Sequence, residues 1–286
     1  MIARRLDHVH LVVKSCDEWV PLFRDLLGLQ IIRGTYPEAL DPTYSRPSAA
    51  GAGLAEFQFG DGFIAVMQPA PSDTQMSGFV DRRGEGFYAL SFDAGNLNRA
   101  AEALQQRGVS FIDTRRPAAE GEESTSGFLW ISPRVTHGTA VQLTWPWPVD
   151  PGANPRLLGL RSAVVAVDDV EQAAAVYAEI LDLKPKGRVQ SERFGYAGVE
   201  LSIGDSPDTL VVAKSTDPEK PLGQMVARRG AGIFQFTLAV NDIQAEVERL
   251  RAKGVAVDVA EASEPHAAWI DPAVFRGVRI ELREEI

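Results

Sequence analysis

RRGEGFYALSFDAGNLNRAAEALQQRGV, residues 82–109, returns as RRGAGIFQFTLAVNDIQAEVERLRAKGV at residues 228–255. An echo of that length in constant register reads as two copies of one architecture. Two further stretches echo in the same order. WISPRVTHGTAVQLT, from Trp130, is answered by WIDPAVFRGVRIELR, from Trp269. LDHVHLVVKSCDEWVPLFRDLLGL, from Leu6, is answered by LRSAVVAVDDVEQAAAVYAEILDL, from Leu160. PWPVDPGANPR at 146–156 interrupts the pattern with Pro and Gly and reads as a linker, which gives modules 1–148 and 156–286.

Each module uses the same grammar twice. DHVHLVV alternates as a strand does, and SCDEWVPLFRDLLGL then carries apolar residues at helical spacing and stops at Gly28. AEFQFGDGFIAVMQP reads as two strands joined by a tight Gly-Asp-Gly turn. The second half of the module opens with the strand FYALSFDA, continues with the helix NLNRAAEALQQRG, and closes on the strands FLWISP and TAVQLTW. Four units of strand, helix and further strands predict an α+β chain of two curled-sheet modules. A doubly wound parallel sheet would alternate helix and strand singly.

The chain has 286 residues, 45% hydrophobic and 24% charged, enough to bury a sizeable core. A net charge of −10 argues against nucleic acid as a partner, since phosphate binding needs clustered Lys and Arg. Cys16 is the single cysteine, so no intrachain disulfide forms and a reducing cytoplasm is the expected compartment. No apolar leader and no membrane-length run is evident, which predicts a protein without membrane association.

The βαβββ order, the DHV opening, RRGEGFYALSF at the second unit and SPRVTHGTAVQL at the close resemble the vicinal-oxygen-chelate superfamily. That superfamily includes glyoxalase I, methylmalonyl-CoA epimerase, bleomycin-resistance proteins and extradiol dioxygenases. Locally the segments look most similar to methylmalonyl-CoA epimerase, while the two-module layout is similar to extradiol and hydroxyphenylpyruvate dioxygenases. The resemblance implies a divalent metal held by one side chain from each of four strands. In module one those positions fall on His8, Ala65, Ala89 and Gln142; in module two they fall on Ser162, Val211, Gln235 and Glu281. Methyl and isopropyl groups hold no ion, and a neutral amide is a weak ligand for Zn²⁺ or Fe²⁺. The family site is therefore expected to be degenerate, with no cofactor. Fe, Mn, Zn, Ni or Co remains the alternative, held by His8, His10, Gln142 and Glu56.

Chemistry that survives without a metal is proton transfer beside a carbonyl: isomerisation, epimerisation, dehydration or retro-aldol cleavage. Glu281 is the first choice of base, with Gln235 and Ser162 as hydrogen-bond donors to an enolate oxygen. His8 and His10 are the second acid–base pair, two apart on one strand and so on one face. An interior Glu281 needs a counter-charge, for which Arg279 or a contact to Gln235 is expected. The expected partner is a hydrophobic or aromatic oxygenated small molecule. Two alternatives stand beside the enzyme: a drug- or metabolite-sequestering protein, and a dioxygenase with a relocated metal. Relatives often pair, so a homodimer is also open. His137, His266, Tyr88 and the pairs Arg82–Arg83 and Arg228–Arg229 are read as structural or surface residues, and 35–53 and 115–127 as pocket-shaping loops.

Overall fold

A computed structural model of the chain describes residues 1–36, 39, 52–115, 126–146, 154–260 and 266–285. The first repeat begins with β1 (Arg5–Val12), α1 (Cys16–Pro21), β2 (Gln30–Gly34), β3 (Gly53–Phe59) and β4 (Gly62–Gln68). After α2 (Thr74–Arg83) it continues with β5 (Gly86–Asp93), α3 (Leu97–Gln106), β6 (Phe111–Asp113), β7 (Leu129–Ile131) and β8 (Ala140–Thr144). The second repeat runs through β9 (Leu157–Ala166), α4 (Val170–Leu181), β10 (Lys184–Ser191), β11 (Tyr196–Ser202), β12 (Thr209–Ser215) and α5 (Pro221–Arg229). It ends with β13 (Gly232–Val240), α6 (Ile243–Ala252), β14 (Val257–Val259), β15 (Ala267–Ile270) and β16 (Arg279–Glu284).

Each repeat contributes one eight-stranded mixed sheet, ordered β2-β3-β4-β1-β5-β8-β7-β6 and β10-β11-β12-β9-β13-β16-β15-β14. The expected α+β plan of curled sheets in two tandem modules is the observed one. The Gly60–Asp61 turn joins β3 and β4 as an antiparallel hairpin, as the sequence suggested. The connecting helices α2 and α5 were not anticipated, although both are punctuated. The Asp73 carboxylate accepts from the backbone amides of Gln75 and Met76 ahead of α2, and Pro221 opens α5. Short strands β2, β6 and β14 were also missed; at three to five residues they carry too little periodicity to see.

Contacts gather the chain into two compact units that do not follow the repeat boundary. One comprises Met1–Asp7, Ala89–Pro148 and Ser162–Phe234; the other comprises His8–Tyr88, Val149–Arg161 and Gln235–Ile286. Each unit thus joins a βαβββ half of one repeat to a half of the other. The same joints recur at equivalent repeat positions. In the first unit Arg107, just past α3, donates to the Glu179 carbonyl at the end of α4. In the second, Lys253, just past α6, donates to the Asp25 carbonyl after α1. Cations suit helix C-terminal carbonyls, which carry partial negative charge. Tyr177 of α4, wholly buried, donates its hydroxyl to the Thr136 carbonyl at 3.1 Å. Its equivalent Phe23 instead meets the Phe275 ring at 5.2 Å. Arg249 and Arg156 complete the second joint, sharing buried Glu246 and reaching the Leu26 and Leu27 carbonyls.

Pro21 explains why the winding changes along α1. It has no N–H for the turn before it, and the chain continues as a π-wound segment, Leu22–Leu26, closed by Leu27 N–H on the Leu22 carbonyl. Gly28 then ends the helix at φ 71°, and Asp182 takes the equivalent position of α4 at φ 61°.

Candidate functional site

Strand alternation gives each sheet one apolar and one polar face. On β1, β3 and β4 the apolar set is Val9, Leu11, Phe57, Ile64 and Val66, a surface that a helix can cover. The other face carries the candidates. Register places His8 beside Phe63, and His10 beside Ala65, which faces Glu56, which in turn faces Arg33. His10, Ala65, Glu56 and Arg33 therefore form one rung across β1, β4, β3 and β2.

The polar groups on and beside this rung are buried: His8 is 2%, His10 5% and Arg33 8% exposed. The imidazoles meet edge to face at 4.4 Å, and His8 stacks on Phe63 at 3.9 Å with planes 19° apart. The Arg33 guanidinium lies over the same Phe63 ring at 5.1 Å and pairs with Glu56 at 2.5 Å. Glu56, whose facing was open in the sequence, thus points the same way as both histidines. A single methyl group, Ala65, stands between His10 and Glu56. At about 4.8 Å per strand, their backbones are about 9–10 Å apart.

The second repeat places its own polar group on β13 and β16. Glu281 is 4% exposed and accepts from Gln235 Nε2 and Thr237 Oγ1 on Oε2, both at 2.8 Å. Arg283 donates to Oε1 through Nε at 3.0 Å and Nη2 at 2.5 Å. A carboxylate offers about four acceptor positions, and these four donors take them. The expected Glu281–Gln235 contact is present, and Arg283 supplies a cation on Glu281. Arg279 shares the face, and its rung partner is Gln235. At the equivalent place in the first repeat, Ser91 donates to Gln142 Oε1 at 2.7 Å. Ser162 accepts from Thr209 at 3.1 Å.

The implied metal does not fit these residues. Ala65, Ala89 and Val211 offer no lone pair, the Gln142 oxygen is engaged by Ser91, Glu56 is paired with Arg33, and Glu281 is filled by its donors. Among the described residues no cluster of three or more His, Cys, Asp and Glu side chains is placed to hold an ion. The remaining candidates take structural places. His137 occupies a turn at φ 53°, His266 pairs with Glu284 at 2.7 Å, and Tyr88 accepts from Gln75 against the Phe79 ring. Most of the expected loops at 35–53 and 115–127, and most of the linker, lie outside the described residues. No described helix is long and apolar enough to cross a membrane.

Paired βαβββ halves closing an eight-stranded sheet, twice over, define a two-module vicinal-oxygen-chelate architecture. A profile of the Glyoxalase/Bleomycin resistance protein/Dioxygenase superfamily matches residues 7–125 and 163–271, and the chain belongs to that superfamily. A triple mutant of 4-hydroxymandelate synthase from Streptomyces coelicolor superposes with a TM-score of 0.78. It is 15% identical, over 99% of this chain and 93% of that one. BphC, a halotolerant catechol dioxygenase, superposes at 0.64 with 16% identity, over 99% and 87% of the two chains. At these identities the likeness is one of fold. YqjC of Bacillus subtilis (strain 168), itself uncharacterized, is 27% identical over 143 residues, 50% of this chain and 92% of that protein.

Proposed function

We propose that the chain is an enzyme that moves a proton beside a carbonyl on a hydrophobic, oxygenated small molecule without a metal, in the manner of an isomerase, epimerase or lyase. The observation that carries this reading is the buried rung in which the His8–His10 pair faces the Glu56–Arg33 pair across Ala65. Imidazole titrates near neutral pH, so one histidine can take the proton from the carbon beside the carbonyl. The C–H electron pair becomes the C=C bond of an enolate as the carbonyl π pair moves onto oxygen, and a guanidinium donor such as Arg33 stabilises that oxyanion. Return of the proton to another position or face completes the step. A protein that only sequesters an apolar ligand needs no buried imidazole or carboxylate on that face, which favours the enzyme.

Glu281, the base that the sequence put first, has its acceptor positions taken by Gln235, Thr237 and Arg283, so the reading places the base among the imidazoles. The test is solvent deuterium incorporation, followed by NMR, into a panel of aryl ketones and 2-oxo acids. On any compound that exchanges, His10→Ala is expected to slow incorporation by about 100-fold or more, with His8→Ala next and Glu281→Gln within a few-fold of wild type. Loss of exchange in Glu281→Gln with His10→Ala unaffected would move the base to the second repeat.

A further inference from the structure

Gln235 is 2% exposed, and its two amide atoms have different fates. Nε2 donates to Glu281 at 2.8 Å, whereas Oε1 is buried and, among the described residues, has no hydrogen-bond partner. The orientation of the amide is dictated by chemistry. An ionised carboxylate only accepts, so the NH₂ group must face Glu281 and the oxygen must face away from it. Glu281 is itself fixed by Thr237 and Arg283. A buried acceptor left open in a folded protein is expensive, and a bound molecule can supply its donor.

We propose that Gln235 Oε1 reads a hydroxyl donor on a small ligand bound at the polar face of β13 and β16, and that Glu281 is the positioning residue that holds the amide in this sense. These residues lie on the other sheet from the imidazole rung, and ligand binding by them is independent of its chemistry. It has no counterpart in the first repeat, where Ala89 stands at the position of Gln235 while Ser91 and Gln142 repeat Thr237 and Glu281. Trp269 faces Glu281 across the β15–β16 ladder, putting an indole on the same face and favouring an aromatic alcohol over an aliphatic one.

Phenol and toluene, which exchange a hydroxyl for a methyl group, are the probes. They are titrated into the full chain carrying ¹⁵N-labelled glutamine side chains, with the Gln235 amide signal identified by its loss in Gln235→Leu. The expected result is a phenol-dependent shift of that signal and about tenfold tighter binding of phenol than of toluene, the worth of one hydrogen bond. The preference should vanish in Gln235→Leu and shrink in Glu281→Gln, where the amide is free to flip. The wild-type comparison stands by itself if the leucine variant does not fold. Equal binding of the two probes, phenol binding that leaves the Gln235 signal unmoved, or broadening of that signal by Mn²⁺ instead would each overturn the assignment.

Discussion

At the scale of single residues, burial decides what a titratable group can do. Cys16 lies under Gly53 and Gln68, and burial pushes its thiol up to about 12 from a usual 9.0. Burial also raises the Tyr177 phenol. Both groups favour the protonated form in the folded state, so the thiol's contribution is complete below pH 9 and is lost as pH climbs toward 12, while the phenol's begins to fall only above its usual 10.0. Urea midpoints measured from pH 8.5 upward should therefore fall, and Cys16→Ala should remove up to about 1.4 kcal/mol per pH unit of that slope. A slope unchanged by the substitution would mean the thiol titrates normally. The candidate site was only partly legible at this scale. Strand alternation was enough to pair His8 with His10, and the family resemblance put Gln235 beside Glu281. Arg33 was invisible because it sits on a five-residue strand, and its link to Glu56 depends on register across β4. The Arg283 contact was missed because Arg279 and Arg283 both stand two residues from Glu281 on one strand face, and alternation alone does not distinguish them.

Elements show a different kind of information. The repeat, the hairpin and the helix stop at Gly28 were readable because each rests on local chemistry: periodicity, a tight glycine turn, a left-handed cap. The joints between helices were not, since they tie residues far apart in the chain. Tyr177 and Thr136 are one such joint, and Tyr177→Phe is expected to destabilise the chain by about 1 kcal/mol in urea unfolding. The matching change at the other joint, Phe23→Tyr, introduces a hydroxyl against the Phe275 ring and should destabilise as well. A neutral Tyr177→Phe would show that the hydroxyl contributes nothing beyond the ring it sits on.

For the molecule as a whole, the sequence repeat and the compact unit are different divisions. A chain cut between Pro148 and Val149 separates the partners of both units. The two fragments, expressed together, are expected to associate one to one and give the backbone amide spectrum of the intact protein; each alone should show the narrow dispersion of a chain lacking half of every joint. A first fragment that folds alone as a monomer would contradict this. The same arrangement bears on synthesis. Residues His8–Tyr88 leave the ribosome well before the partners they pack with, from Gln235 onward. At about 5–20 residues per second the interval is about 10–40 s. During it the α1 joint waits without Phe275, Arg249 and Lys253, so folding of the second unit cannot be completed one repeat at a time.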